Sequence, residues 1–333
     1  MILEHRFAHI PQDGRRDRAW LASLAPLYAG HLRADAVVPP GAFLRHHHLG
    51  EIILTVDDSP AQVLERDTER VLAQGLDHLV LWTPAGGCAR VTAPGTDAAI
   101  EPGAILLLEL SQPFRIVMEP LSGHAIVVPR RLIEAGAEPP DWHGQVLSGP
   151  QAKLGAMLAD HMRHAGGCLS DLSLAQARHL APATLSLCRA LLAGFLPVDR
   201  DLGSPRSVAL GLAVRRYIEC HLASVDAAML MAEFGLSRTI LYELFSDAGG
   251  LYAYIRDRRL AEAKRRLSRT DGEHRPMMAQ LAHACGFNHP IVFARAFRRK
   301  YGINPSEVTP ARMPVAIPGG NGNAALIAWL RDL

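Results

Sequence analysis

The stretch CGFNHPIVFARAFRRKYGINPSE, residues 285–307, decides how the chain is organised. Gly286 followed by Phe287 reads as a turn, because glycine enters the positive-φ region at no steric cost. From Pro290 onward the spacing of Phe293 and Phe297 predicts a helix with one apolar stripe, and a row of arginines lies outside it. Proline in the first turn of a helix forfeits no hydrogen bond. Pro290 therefore marks a helix start, with the N-terminus near His289.

The same pattern stands earlier in the chain. AEFGLSRTILYELF (232–245) and AHACGFNHPIVFARAF (282–297) each carry a small residue, a glycine and a bulky apolar residue directly after it. A new helix follows, polar at its start and apolar inside. These are the demands of a helix-turn-helix: alanine where two helices cross closely, glycine in the turn, and an apolar inner face on the second helix. Gly235, Leu236, Leu241 and Phe245 fill the roles in the first copy, and Gly286, Phe287, Phe293 and Phe297 in the second. The two glycines are 51 positions apart, and LYAYIRDRRLAEAKRRLSR (251–269) between them has a helical pattern. At about 1.5 Å per residue that helix is a rod of roughly 28 Å. Successive major grooves on one face of DNA are about 34 Å apart, so one chain can present two recognition helices to double-stranded DNA.

Charge is distributed to match. The formal net charge is only +2, yet residues 206–300 hold sixteen Lys/Arg against nine Asp/Glu, leaving nineteen against twenty-four elsewhere. A compact basic region on an otherwise slightly acidic chain fits a polyanion, whose counterions are released on binding; a solvated helical surface has the same composition. The five cysteines (Cys88, Cys168, Cys188, Cys220, Cys285) form no close pair, which points to reduced thiols in a cytoplasmic protein. The first twenty residues lack a signal-peptide core, and the run AILLL at 104–108 is too short to cross a bilayer, so no membrane partner is expected.

GLSRTILYELF, YIRDRRLAEAKRRL and FARAFRRKYGINPSE, within 206–306, resemble the AraC/XylS family of bacterial transcription regulators. The resemblance implies an all-α double helix-turn-helix domain over 207–306. In it Arg258, Arg259 and Leu260 of the central helix tie the halves together, and the Gly302–Pro305 turn closes the domain. The base-facing set is then Arg238, Thr239, Tyr242 and Glu243 in the first motif, with His289, Ile291, Ala294, Arg295 and Arg298 in the second. Arg215, Arg256, Arg299 and Lys300 flank the motifs as phosphate contacts. Ile291 stands where members usually carry serine, and it offers a base only apolar contact, for example with a thymine methyl. Glu243 stands where a basic residue is common, and it either accepts from a cytosine amino group or repels phosphate. Such a regulator implies RNA polymerase as a partner, a small-molecule effector, a homodimer, and no catalytic residues.

The N-terminal half has a different texture. HLVLW (78–82), EPGAILLLEL (101–110), SQPFRIVM (111–118) and GHAIVVP (123–129) alternate with Gly/Pro turns, which predicts a β barrel or sandwich. This half is similar to the family's cupin-like sensor domain, so the expectation is a multidomain chain whose residues 1–145 form an all-β cupin-like barrel with flanking helices. Residues 146–197 carry helical periodicity, with Leu154, Met157, Leu158 and His161 on one side. After Pro182 the stripe is Leu185, Cys188, Leu191, Leu192 and Phe195, and this segment is the expected dimerisation element. PVDRDLGSP (197–205) reads as a linker, placed at 198–206. The tail, 307–333, has a Pro/Gly/Asn stretch and a short amphipathic helix at 324–333, and the sequence assigns it no role.

RHHH (45–48) invites a metal reading, because metal-binding cupins use H-x-H followed by a glutamate, and His46, His48 and Glu51 nearly offer it. The second half of such a site needs another histidine where this chain has AILLLEL, so no metal or cofactor is expected. Arg45, His47 and Trp82 are the pocket residues the sequence nominates. Three other classes share parts of this pattern: a cupin-type metal enzyme fused to a DNA-binding domain, a cysteine-rich methyl-acceptor fusion, and a constitutive DNA binder without ligand. The first lacks its metal set, and the second has only Cys88 before residue 168.

Overall fold

A computed structural model gives the architecture and describes residues 2–133, 142–147, 149–193, 206–269, 276–308 and 322–333. The order is β1 (Ile2–Arg6), α1 (Arg15–Leu24), β2 (Ala29–Leu32), β3 (Phe43–His48), β4 (Ile53–Ser59), β5 (Gln62–Arg66), α2 (Thr68–Gln74), β6 (His78–Gly86), β7 (Ala89–Ala93), β8 (Thr96–Ile100), β9 (Leu106–Glu109), β10 (Phe114–Met118), β11 (Leu121–Pro129) and β12 (Gln145–Val146). Helices follow: α3 (Gly149–Cys168), α4 (Leu174–Leu192), α5 (Arg206–Cys220), α6 (Ala227–Phe234), α7 (Arg238–Glu243), α8 (Leu251–Arg269), α9 (Met278–Ala284), α10 (Pro290–Tyr301) and α11 (Gly322–Asp332).

The strands form a seven-stranded sheet, β1-β3-β4-β11-β6-β9-β12, and a five-stranded sheet, β2-β5-β10-β7-β8. The first sheet is apolar on both faces, because each face has something to bury against. Val80, Trp82, Leu108 and Val127 face the second sheet, while Leu79, Leu81, Leu107 and Val128 face α3 and α4. Burial on two sides is why β6 and β9 read as continuous apolar runs rather than alternating ones. The all-β expectation holds, but the barrel does not: no ladder joins the two sheets among the described residues, and they stack as an open sandwich.

Against the outer face, α3 and α4 bury Leu158, Met162, Ala165, Leu185, Cys188, Leu191 and Leu192. Leu154 and Met157, on the same side of the helix in the sequence reading, are 41% and 58% exposed. α4 runs through Pro182 without a break. Phe195 and the linker positions before Arg206 lie outside the described residues, as do 309–321 of the tail. No described helix is long and apolar enough to cross a membrane.

Candidate nucleic-acid interface

Each helix-turn-helix is built by local rules. Asp226 caps α6, accepting from the Met229 amide at 2.8 Å, and α6 ends on Gly235 in the left-handed region at φ 61°. Ser237 caps α7 through the Ile240 amide. In the second copy the turn glycine is more constrained. Gly286 has φ 79°, and a Cβ there would lie 2.5 Å from the Ala223 carbonyl and 2.6 Å from Arg259 Nε, so any side chain would collide as well as strain the backbone. α10 begins with His289 as its cap residue and Pro290 in its first turn, as the sequence predicts.

The two motifs have separate cores, one around Leu230, Leu241 and Phe245, the other around Leu281, Phe293 and Phe297. α8 joins them. Leu260 enters the second core, while Arg259 Nε donates to Leu222 O at 2.8 Å and its Nη2 to Val225 O at 3.1 Å, at the turn that leads into α6. Arg258 forms a two-point pair with Glu219 of α5 at 2.5 and 3.2 Å. Burial alone would raise the Glu219 carboxyl, but the Arg258 charge beside it holds it below its ordinary value.

Outside these cores the two second helices present polar faces. On α7, Arg238, Thr239 and Glu243 are exposed and Tyr242 is half-buried, with the Arg238 guanidinium 5.5 Å from the Tyr242 ring centre. On α10, His289, Arg295, Arg298 and Arg299 are exposed and Ala294 is half-buried, and Ile291 stands 68% exposed. Val292 beside it is 56% exposed, so the start of α10 holds two apolar side chains in water. Arg256 is exposed and pairs with its neighbour Asp257 at 2.9 Å.

Two residues read from the sequence as phosphate contacts sit elsewhere. Arg215 is 5% exposed; it donates to Leu244 O at 2.9 Å and lies 4.9 Å from the Phe245 ring centre. It also packs over Gly75 at the end of α2, where a Cβ would come within 2.2 Å of Arg215 Nε. Lys300 donates to Asp257 O at 3.2 Å and lies 3.6 Å from Asp332, with its pKa lowered by burial. Both positions carried a signal. Arg215 is three residues before Ile218 and seven before Leu222, and Lys300 is seven after Phe293, so each falls on the buried stripe of its helix.

In the sandwich a cavity of about 90 Å³ opens between the sheets, walled by Leu44, His46, Asp57, Gln62, Trp82 and Met118 among others. Of the three residues nominated from the sequence, Trp82 lines this cavity and Arg45 and His47 do not. Side chains alternate along β3, so Leu44 and His46 face the cavity while Arg45 and His47 point to the other side of the sheet. Arg45 pairs with Glu4 of β1 at 2.8 Å. His46 bonds Thr55 Oγ1 through Nδ1 at 2.8 Å, and burial pushes its pKa down to about 3. His48 is likewise pushed to about 3 and His47 to about 4, burial being the main cause. The triplet is therefore neutral across the physiological range. Asp57 accepts from Ser59 Oγ at 2.5 Å, and burial raises its carboxyl to about 6. Among the described residues no group of three or more His, Cys, Asp or Glu is placed to hold a metal ion.

Comparison with known proteins agrees with this geometry. A helix-turn-helix domain family matches residues 230–310. The chain is 34% identical over 134 residues to the uncharacterized HTH-type transcriptional regulator YijO of Escherichia coli (strain K12), covering 39% of this chain and 44% of that protein. It thus spans under half the length of that relative. It is 23% identical over 276 residues to the transcriptional activator NphR of a Rhodococcus species, covering 77% of each. Among solved structures, the AraC-like transcriptional activator CuxR aligns with a TM-score of 0.61 at 26% identity, over 79% of this chain and 95% of that one. The C-terminal helices thus form a helical domain that holds the helix-turn-helix pattern twice. Over most of its length the chain is similar to an AraC-like transcriptional activator, and over its C-terminal part to HTH-type transcriptional regulators.

Proposed function

We propose that the protein is a sequence-specific, effector-responsive transcription regulator, with α7 and α10 in successive major grooves of one duplex. The observation that carries this reading is the pair of exposed second helices, each on its own core, joined by the nineteen residues of α8. Arg238, Thr239, Tyr242 and Glu243, with His289, Ile291, Ala294, Arg295 and Arg298, form the base-reading set. Arg256 and Arg299 contact backbone phosphates. Binding of the full-length chain to DNA upstream of its own gene, followed by fluorescence anisotropy against a scrambled duplex, tests it. Equal affinity for both duplexes would remove the regulator reading.

The cavity between the sheets favours a sensor over a constitutive binder. Its walls are mostly apolar, with Asp57, Gln62 and His46 as hydrogen-bonding groups, the make-up of a small-ligand site. In this reading residues 1–145 are the sensor, 146–197 the dimerisation helices, 198–206 the linker and 207–306 the DNA-binding domain. Exposed Leu154 and Met157 on α3 supply the start of a homodimer contact. Sedimentation of the full chain at tens of micromolar, showing a dimer that Met157→Glu dissociates, is the expected result. RNA polymerase is the partner at the promoter, and the cytoplasm is the compartment.

A further inference from the structure

The segment beyond the second motif has a place in the fold that DNA reading leaves unused. One side of α11 gives Leu326, Trp329, Leu330 and Leu333 to the core between the sheets. Trp329 sits edge-on to His48 with ring centres 5.3 Å apart, and the Leu330 carbonyl is 2.7 Å from His78 Nε2. Its other side gives Ala328 to the core of the second helix-turn-helix. At its end Asp332, 1% exposed, is held by Lys264 of α8 and by the Tyr301 hydroxyl of α10, with Lys300 Nζ 3.6 Å away. Arg258 Nη1 donates to Arg331 O at 2.9 Å. Burial alone would raise the Asp332 carboxyl, but Lys264 and Lys300 hold it well below the usual carboxylate range. The helix thus has one face in the sensor sandwich and its end bonded to the second recognition helix.

The size of the cavity gives this arrangement a consequence. Leu326 and Leu330 are two of its walls, and its volume is about 90 Å³. A dry cavity of about 150 Å³ in a protein core is what holds benzene, so this one admits only a few non-hydrogen atoms. A larger ligand must displace part of the wall. Most of the wall is hydrogen-bonded strand, such as β4, β6 and β11, whereas α11 joins no ladder and is held by side chains and single bonds.

We propose that α11 is a strap coupling the cavity to the second recognition helix: a ligand with an apolar body and one hydrogen-bonding group enters by displacing Leu326 and Leu330, and so draws Asp332 away from Lys264, Lys300 and Tyr301. This rests on the effector-responsive reading of the same cavity. The apolar body is set by Val80, Leu108, Ile116 and Met118, and the hydrogen-bonding group by Asp57, Gln62 and His46. With the strap in place Lys300 is turned inward. Its release returns a cation to the DNA-binding surface, so DNA binding tightens.

The test needs no identified ligand. In the full-length chain, Val127→Phe fills the cavity from the sheet side, Leu330→Ala weakens the strap at the same wall, and Asp332→Asn cuts its link to the DNA-binding domain. Amide hydrogen exchange over 325–333 and 298–302 is read beside affinity for a selected duplex. The expected result is faster exchange in both segments for Val127→Phe and for Leu330→Ala, and DNA binding tighter by about five-fold, the lower end of ordinary coupling between sites. Adding Asp332→Asn to either should change affinity by less than about two-fold, because both act through one element. Faster exchange at 325–333 with wild-type protection at 298–302 and unchanged DNA affinity would overturn the proposal, as would an α11 that Val127→Phe leaves unmoved. Should Val127→Phe open the whole sandwich, Leu330→Ala decides alone. The exchange readout requires no DNA, so a wild-type chain without sequence preference would strike the regulator reading and leave the strap standing.

Discussion

The sandwich and the paired helix-turn-helix hold themselves together by different means. The sheets bury long apolar runs on two faces and enclose histidines whose charge burial suppresses, as at His46 and His48, with charged groups such as Arg130 on Glu109 buried at their margin. The helical domain has two small cores joined by arginines that keep their charge, the buried Arg258 on Glu219 and the half-buried Arg259 on backbone carbonyls. Arginine, the residue type exposed along α10, serves here also as internal bracing. A basic residue in the helical domain is placed by its helical phase and not by proximity to a motif. Lys300 and Arg299 are adjacent, yet Arg299 is exposed and Lys300 is turned inward.

The largest expected effect separates the two regions by pH. His46 and His48 have folded pKa values of about 3, below the unfolded value of about 6.5, so the unfolded chain binds more protons between those limits and stability falls as pH falls. Each histidine should cost the sandwich ~2 kcal/mol between pH 7 and pH 5. Asp57, raised to about 6, works the other way and returns ~1 kcal/mol. Urea unfolding followed by Trp82 and Trp20 fluorescence at the two pH values should show a net loss. A pH-independent sandwich would contradict the burial of the histidines.

Next in size is the turn glycine. Gly286→Ala meets a backbone carbonyl at 2.5 Å and positive φ together, and should lower stability by ~3 kcal/mol. Gly103→Ala in the sandwich has the same sign of φ but open space around it, and should cost only ~1 kcal/mol. Thermal unfolding of both variants checks the contrast, which fails if the two are equal.

Smaller effects divide reading from positioning within α10. Arg295→Ala should cost ~1–3 kcal/mol on the true site and relax preference at one base pair. Arg299→Ala should weaken specific and random duplex alike and reduce the salt slope by about one. Salt-titrated binding of both variants to selected and scrambled duplex decides the matter; equal losses on the two duplexes for Arg295→Ala would take α10 out of the groove.

Much of the helical domain was legible because its constraints are local. The Gly286 turn, the Pro290 start, the Phe293 and Phe297 stripe and the full extent of α8 all follow from neighbours within a few residues. Helical phase, applied strictly, also places Arg215 and Lys300 inside, and closeness to the motifs misled there. The sandwich yielded its strands β6, β9, β10 and β11 but not its closure, since whether two sheet edges meet depends on pairings far apart in sequence. The pocket was missed by one residue for a similar reason: RHHH offers four polar side chains in a row, and only the pairing of β3 with its neighbours settles that His46 faces in and Arg45 out. The seat of α11 left only its amphipathic pattern in the sequence, because the surface that receives it is made of β1, α1 and α8 together.

Binding-site selection from a randomised duplex library, using the full-length chain at moderate salt, tests the central claim most directly. Two recognition helices on one rod predict two enriched sequence blocks with centres about 10–11 base pairs apart, the second losing its information in Arg295→Ala. A pool with a single block, or with no enrichment over the starting library, would contradict the claim that α7 and α10 read successive major grooves.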